Sequence, residues 1–478
     1  MTLSRRELLV GLGAAALLPS WTEATNFDYD LVVLHGRVID PATGLDDIRH
    51  LGILRGRIQA VSKTELRGKR AVDARGLVVC PGFIDPISHG QNLENDMVQA
   101  QDGVTTKLQI ESGVLDQDEW HAANAGQRML HYGASVGYNG IRRRIMGERA
   151  DQDAASSEET TTMARMLDQQ LAAGALAVGF GLEYQPHASR KEVFEMFRVA
   201  GRHAAPCTAH VRYGTLQDDA SALAGVQEIV ANAQAVRVGA HIHHVPSMAL
   251  RTTPDVLDYL LTAAANGVDV TSDFYPYNAF GTGIGSEVFA PGWQEKFGLR
   301  FEDLEWAKTH ERLTPETFEK YRKEGGMVIA HGIPENAVWA AVKGPSMIGS
   351  DGGLREGVGH PRSAGTYARV LGRYVHELGV ITLSNAIAKM TILPARRFDS
   401  RCPALRRKGR ITVGSDADLA IFDPKQVLDR ATFDDPALPS LGFQWVLVAG
   451  IPVIAEGRLQ PDARPGRGLR APRRVASS

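Results

Sequence analysis

The chain of 478 residues carries 53 Lys and Arg against 55 Asp and Glu, for a formal net charge of −2, with 44% hydrophobic and 23% charged residues. That balance argues against the basic face with which proteins displace counterions from nucleic acid, and the composition argues against extensive disorder. The length accommodates one large α/β domain and a smaller companion, because single cores stop growing near ~250–300 residues; a small molecule is the default partner.

The first segment, SRRELLVGLGAAALLPSWTEA, places Arg5 and Arg6 before an apolar run from Leu8 to Leu18, followed by Pro19 and the small residue Ala24. A bilayer-spanning helix needs ~20 apolar residues, so this run is too short to anchor the chain. It reads as a cleavable export signal over residues 1–24. Ser4 and the paired arginines resemble the twin-arginine signal for export of folded proteins, which predicts a periplasmic location. A plain secretory signal or an amphipathic start to the domain is the alternative. No cysteine follows the apolar run to take a lipid anchor. Cys80, Cys207 and Cys402 are far apart and form no paired metal motif, so they are expected as small core residues, with Cys207 watched because His210 is near.

YDLVVLHGRVID and HLGILRGRIQAVS read as antiparallel strands with Gly turns, and RKGRITVGSDADLAIFDP and FQWVLVAGIPVIAEGRL repeat that grammar near the other end. A small β-sandwich domain is therefore predicted from residues 26–80 plus 404–460. Between them, over 81–403, apolar strands alternate with helical stretches. Eight strand candidates appear: LVVCPGFID, VTTKLQIES, ASVGYNG, ALAVGFGLEY, PCTAHVRY, GAHIHHV, VDVTSDFYPY and MIGSDGG. Eight βα units predict a TIM-like (β/α)8 barrel, whose chemistry sits at the C-terminal ends of its strands. An insertion from about Phe280 to Pro345 contains a further strand-like run, MVIAHGI, which leaves the count open by one. Residues 461–478, rich in Pro, Gly and Arg, predict a flexible solvated tail.

Histidines and carboxylates fall at these strand ends: His89 at the first, Glu111 at the second, His210 at the fifth, His244 at the sixth and Asp351 at the eighth. A lone buried histidine is usually a packing residue, and SDG alone is usually a turn. Five such residues on one rim instead match the three or four N and O ligands of a zinc ion with a position left for water.

The ordered set PGFID, DGVTT, GALAVGFGLEYQP, AHVRY, DFYPYNAFGTG, MIGSDGG, HPRSAGTYARVLGRYV, KMTILPARRF and RATFDDPALPSLGFQWVLVAG resembles the amidohydrolase superfamily, and within it the N-acyl-D-amino-acid deacylases, from about Tyr29 to Gly457. The resemblance implies that His210 and His244 hold a tightly bound metal, leaving His241 and His243, which share the opposite strand face, for packing or support. Where such deacylases carry a cysteine ligand in GNCG, this chain has QIESG, with Ser112 in the cysteine column. A carboxylate is the better zinc ligand, so Glu111 is expected to serve, with a salt bridge as its plain alternative.

The usual paired histidines of the first strand are here Ile87 and His89. In the family that pair mainly serves a second, weaker metal, so one zinc ion is expected, with His89 touching the metal or orienting its water. The resemblance makes Asp351 the proton-transferring aspartate. It makes Arg362 the residue that grips a substrate α-carboxylate, assisted by Tyr184 and Tyr275, for which core packing is the plain alternative. GTGIGS lacks the Lys of a phosphate loop.

Together these readings predict a zinc-dependent hydrolase that cleaves C–N bonds other than ordinary peptide bonds, namely the amide of N-acyl-D-amino acids. A dipeptidase or a cyclic-amide hydrolase is the alternative, though the fourth strand has no lysine to carbamylate. A non-catalytic binding protein on the same scaffold is the other class, against which the retention of His210, His244 and Asp351 counts.

Overall fold

The computed structural model describes residues 28–214 and 221–473; the export signal predicted over 1–24 lies outside them. Eight parallel strands form the central sheet in chain order: β1 (Phe83–Asp85), β2 (Val104–Val114), β3 (His131–Gly137), β4 (Val178–Gly181), β5 (Cys207–His210), β6 (Ala240–Ile242), β7 (Val270–Phe274) and β8 (Met347–Ile348). Helices alternate with them, as βαβ chemistry requires. Helix Ser157–Ala172 starts on a capping box between Ser156 and Glu159 and buries Met163, Leu167 and Leu171 at four-residue spacing. Helix Arg190–Arg202 starts on Ser189 and buries Val193, Met196, Phe197 and Ala200.

β1 and β8 are too short to close the ring by themselves, and closure passes to the segments just beyond them. Ser88 bridges Gly352 in parallel. The Asp351 N–H donates to the Ile87 carbonyl at 2.8 Å and the His89 N–H donates to Gly352 at 2.8 Å. The buried Asp85 carboxylate accepts from the Ser350 N–H at 2.9 Å and from Gln99 Nε2 at 2.7 Å. Burial pushes its carboxyl up to about 6 despite these bonds. The last turn of ring closure is thus made by the same residues that carry His89 and Asp351.

Each of the eight candidate runs supplies one barrel strand. LVVCPGFID divides, giving Val78–Pro81 to the terminal sheet and β1 to the barrel. MVIAHGI stays outside the barrel: Met327–Ala330 belongs to a four-stranded antiparallel sheet with Phe280–Gly283, Leu304–Trp306 and Glu311–Arg312, so the count of eight stands.

The two ends of the chain share one nine-stranded sheet, in which Val78–Pro81 pairs Leu419–Phe422 antiparallel. Its own core includes Val33, Leu51, Ile53, Val79, Leu419, Ile421 and Leu447. The solvated tail predicted from 461–478 requires correction over its described part. The Leu469 N–H donates to Tyr132 at 2.7 Å, the Gly466 N–H to Arg128 at 3.0 Å and the Ala471 N–H to Gly174 at 2.9 Å. Leu469 is buried against Ile84, Leu108 and Leu176. Leu469 and Ala471 supply the apolar alternation that docks this strand-like segment, a signal that bulk composition averages away. All three cysteines are buried and free, and burial raises each thiol.

Candidate active site

The five strand-end residues converge. β2 and β3 stay in register to Gln109↔Ala134 and resume at Val114↔Val136, so β2 carries extra residues between them. This bulge re-aims the strand. Gly113 takes φ +59°, and any side chain at Gly137 or Gly179 would collide with the Ser112 or Glu111 carbonyl. The bulge sends Glu111 inward, 3% exposed, and leaves Ser112 on the outside with its hydroxyl 3.4 Å from His89 Nδ1.

Glu111 Oε1 lies 3.2 Å from His210 Nδ1, and Oε2 lies 3.6 Å from His244 Nε2 and 3.3 Å from His89 Nε2. Four donors on tetrahedral bonds of ~2.0–2.1 Å stand roughly 3.4 Å apart, so these separations suit a shared zinc ion. Glu111 Oε2 is buried with no well-formed hydrogen bond, a charged acceptor left open for a cation. Glu111, His210 and His244 form one group of possible metal ligands; His89, Glu111 and Asp351 form a second, sharing Glu111.

His244 reaches this position through a strained backbone. It takes φ 30° and ψ 55°, uncommon for a non-glycine residue. Its N–H donates to Asp273 Oδ1 at 2.6 Å, and its Nδ1 meets the Ser247 hydroxyl at 2.8 Å, which leaves Nε2 toward Glu111. Asp351 has φ 49°. His89 Nε2 and Arg362 Nη1 each approach Asp351 to 2.8 Å, on its two oxygens.

Burial would raise Glu111, but the hydrogen bond from His210 and the close approach of His244 and His89 hold it well below the usual carboxylate range. Burial likewise opposes the lowering of Asp351 by Arg362, His244 and His89, which prevails. His89 loses to burial yet gains more from Asp351 and Glu111, and rises to about 10. The protein alone therefore neutralises two carboxylates with imidazolium and guanidinium charge.

Arg362 stacks over Tyr275 with its guanidinium carbon 4.5 Å from the ring centre and donates from Nη2 to the Gly281 carbonyl at 3.1 Å. Its Nε and the Tyr275 hydroxyl are buried without hydrogen-bond partners. Tyr184 packs 4.8 Å from the His210 ring, and its hydroxyl lies 3.1 Å from Thr282 Oγ1. Seven of the eight residues singled out in the sequence thus line adjoining cavities, and the eighth, Glu111, lies within 3.6 Å of His89, His210 and His244. Sequence reasoning missed Asp273, Ser247 and Thr282 as supports; Asp273 was legible in principle, as a carboxylate ending β7 in DFYPY.

His241 and His243 occupy the opposite face, both bonded to Asp273 Oδ2 at 2.8 Å and fully buried. β6 ends at Ile242, so His244 lies beyond the strand, and its left-handed backbone turns it away from His241 and His243.

Comparison with known proteins supplies the family. The amidohydrolase family pattern matches residues 78–458. The chain is 30% identical to an N-acyl-D-glutamate deacylase of Alcaligenes xylosoxydans xylosoxydans, across 94% of this chain and 98% of the relative. It is 29% identical to a D-aminoacylase of the same organism, across 90% and 95%. Among solved structures, an N-acyl-D-glutamate deacylase from Bordetella bronchiseptica, complexed with zinc and a phosphonate inhibitor mimicking the tetrahedral intermediate, superposes with a TM-score of 0.80 at 28% identity, covering 93% of this chain and all of that one. The chain belongs to the amidohydrolase family.

Proposed function

We propose that this hydrolase is a deacylase of N-acyl-D-amino acids that uses one zinc ion held by Glu111, His210 and His244. The observation that carries this reading is the buried, unpartnered Glu111 Oε2 set between His244 and His89. Zinc bound there would supply a water acidified to near neutrality and polarise the scissile carbonyl. The D preference is taken from the relatives' activities.

The chain's own groups divide the remaining work. Asp351, ionised and facing both His89 and the ligand cluster, accepts the proton of the attacking water and returns it to the leaving amine. Arg362 Nε and the Tyr275 hydroxyl, the free donors beside it, take the substrate's α-carboxylate. Tyr184 borders the same space, held by Thr282. His89 orients Asp351. A second ion at His89, Glu111 and Asp351 is disfavoured because Asp351 already faces the Arg362 cation and the His89–Asp351 hydrogen bond occupies both would-be ligands.

Metal-replete enzyme incubated with paired D and L N-acyl amino acids, dipeptides and a hydantoin, with amine release followed, tests the reading. Release from the D-acyl compounds is expected; hydantoin opening with no deacylation would replace it by the cyclic-amide alternative, and no turnover at one zinc per chain would favour a binding protein. We propose also that residues 1–24 direct export to the periplasm, supported by Arg5, Arg6 and the apolar run after them. Replacing both by lysine (R5K, R6K) should retain the protein in the cytoplasmic fraction; undiminished periplasmic recovery would refute the twin-arginine route.

A further inference from the structure

Arg362 opens the helix Arg362–Arg369, and the preceding Pro361 offers it no side-chain cap. The first N–H groups of a helix find no acceptor within it. For Arg362 the acceptor is His360 Nδ1, 3.0 Å from its N–H. The other ring nitrogen, Nε2, lies 3.1 Å from the Ala279 carbonyl oxygen. Both partners are main-chain groups of fixed polarity, since an N–H only donates and a carbonyl only accepts. The imidazole that satisfies both is neutral and carries its proton on Nε2; every other protonation state breaks at least one of the two bonds. Burial, with the Arg362 charge next, holds the ring well below the ordinary histidine value and keeps it neutral.

Ala279 leads directly into the strand Phe280–Gly283, and that strand returns to Arg362, whose Nη2 donates to the Gly281 carbonyl at 3.1 Å. A side chain on Gly281 would stand 3.6 Å from His360 Cβ and Cδ2, so the ring packs against the strand itself. One nitrogen of His360 therefore holds the main chain of Arg362, and the other holds the strand that receives its guanidinium. Tyr277 at 5.3 Å and Phe433 at 5.1 Å meet the ring nearly at right angles and fix its plane. The residue is 1% exposed and borders the same cavity, of about 200 Å³, as His89, Asp351 and Arg362. The guanidinium has a competing attraction, because Nη1 lies 2.8 Å from Asp351 Oδ2. Were the helix start or the strand free to shift, the Arg362 charge would settle on Asp351 and be lost to an incoming carboxylate.

We infer that His360 is a positioning residue for recognition of the substrate's α-carboxylate, setting the place of the Arg362 guanidinium through its bonds to the Arg362 N–H and the Ala279 carbonyl. This deepens the deacylase reading and rests on its assignment of Arg362 to that carboxylate. His360 acts through Arg362 and takes no part in the proton transfers.

The test uses the zinc-loaded enzyme and pairs the N-acetyl-D-amino acid turned over best with its α-carboxamide. His360→Asn and His360→Gln keep a polar side chain, but each can keep at most one of the two bonds, because a single amide does not span the positions of the two ring nitrogens. In each variant KM for the free acid should rise about fivefold or more, the scale of one lost hydrogen bond, with KM for the carboxamide unchanged within about twofold. On an Arg362→Ala background neither substitution should raise KM further, because the group they position is gone. Nitrogen NMR of the parent protein's imidazoles, with His360 assigned by the signal missing from the variants, should show the Nε2–H tautomer near neutral pH. An Nδ1–H tautomer, unchanged KM, equal changes for acid and carboxamide, or a full effect in the absence of Arg362 would overturn the positioning role while leaving the deacylase reading intact. A parent enzyme that releases no amine from the acid, or treats acid and carboxamide alike, would overturn the Arg362 assignment and the role of His360 with it.

Discussion

Two clusters of histidine and carboxylate flank β6, and only one has the makings of a site. Glu111, His210 and His244 on the rim and His241, His243 and Asp273 in the interior each bring three ligand atoms within 4.8 Å of one another. The interior set is fully buried, and Asp273 Oδ2 accepts from both imidazoles while its Oδ1 takes the His244 N–H. The rim set opens on a cavity and keeps a carboxylate oxygen unpartnered. Ligand chemistry is thus common to both, and each keeps one buried ligand atom unpartnered, Glu111 Oε2 on the rim and His243 Nε2 inside; access to the cavity and the charge on the open atom distinguish them. The interior cluster instead serves the rim, because Asp273 holds the main chain of His244 in its left-handed conformation.

The comparison can be broken at several points. The largest effect is expected at Asp351→Asn, which keeps the shape but removes the proton acceptor: turnover should drop about 10²–10⁴-fold with zinc content unchanged. Turnover within a few-fold of the parent enzyme would exclude the assigned proton transfer.

Glu111→Ala should weaken zinc binding by more than the ~10–100-fold typical of losing a supporting partner, measured by competition with a chelator. His241→Gln should leave one zinc per chain. If both variants behaved alike, the distinction between rim and interior would fail.

Asp273→Ala leaves two buried imidazoles and the His244 N–H without their acceptor, and should destabilise the fold by about 3–5 kcal/mol in denaturant unfolding. Any folded fraction should bind zinc more weakly. Unaltered affinity would show that His244 needs no such anchor.

Arg362→Ala should raise KM about 10–100-fold for substrates with a free α-carboxylate, the scale of a charged hydrogen-bonded contact, with little change for the matching amides. An equal loss on both would point to a role through Asp351 alone.

A further effect is graded with pH. Burial outweighs the Asp273 hydrogen bond and lowers His241 to about 4. Between the ordinary histidine value near 6.5 and about 4, the unfolded chain binds a proton that the folded one refuses. Stability at this group is therefore complete above about 6.5 and is lost as pH falls toward 4, at about 1.4 kcal/mol per pH unit. His241→Gln should flatten that part of the stability profile.

Much of this is legible in the sequence. The alternation of strands and helices announced the barrel, and His89, His210, His244 and Asp351 could be placed on its rim because each ends a strand. Choosing Glu111 over Ser112 rested on chemistry, and the bulge in β2 is what carries that choice into geometry; nothing local in QIESG reveals a bulge that depends on Gly137 and Gly179 in neighbouring strands. The docking of Leu469 and Ala471 was missed because a segment poor in apolar residues can still bury the few it has. The pairing of Arg362 with Asp351 was also invisible, since a resemblance assigns roles without showing which roles sit within reach of each other.

Local sequence sufficed for the order of the elements and the residue types offered at the strand ends, because these depend on covalent spacing and side-chain chemistry. Which carboxylate turns inward, which cluster stays sealed and how Asp273 holds His244 toward the rim were decided by the folded ring, because each depends on contacts between segments distant in the chain.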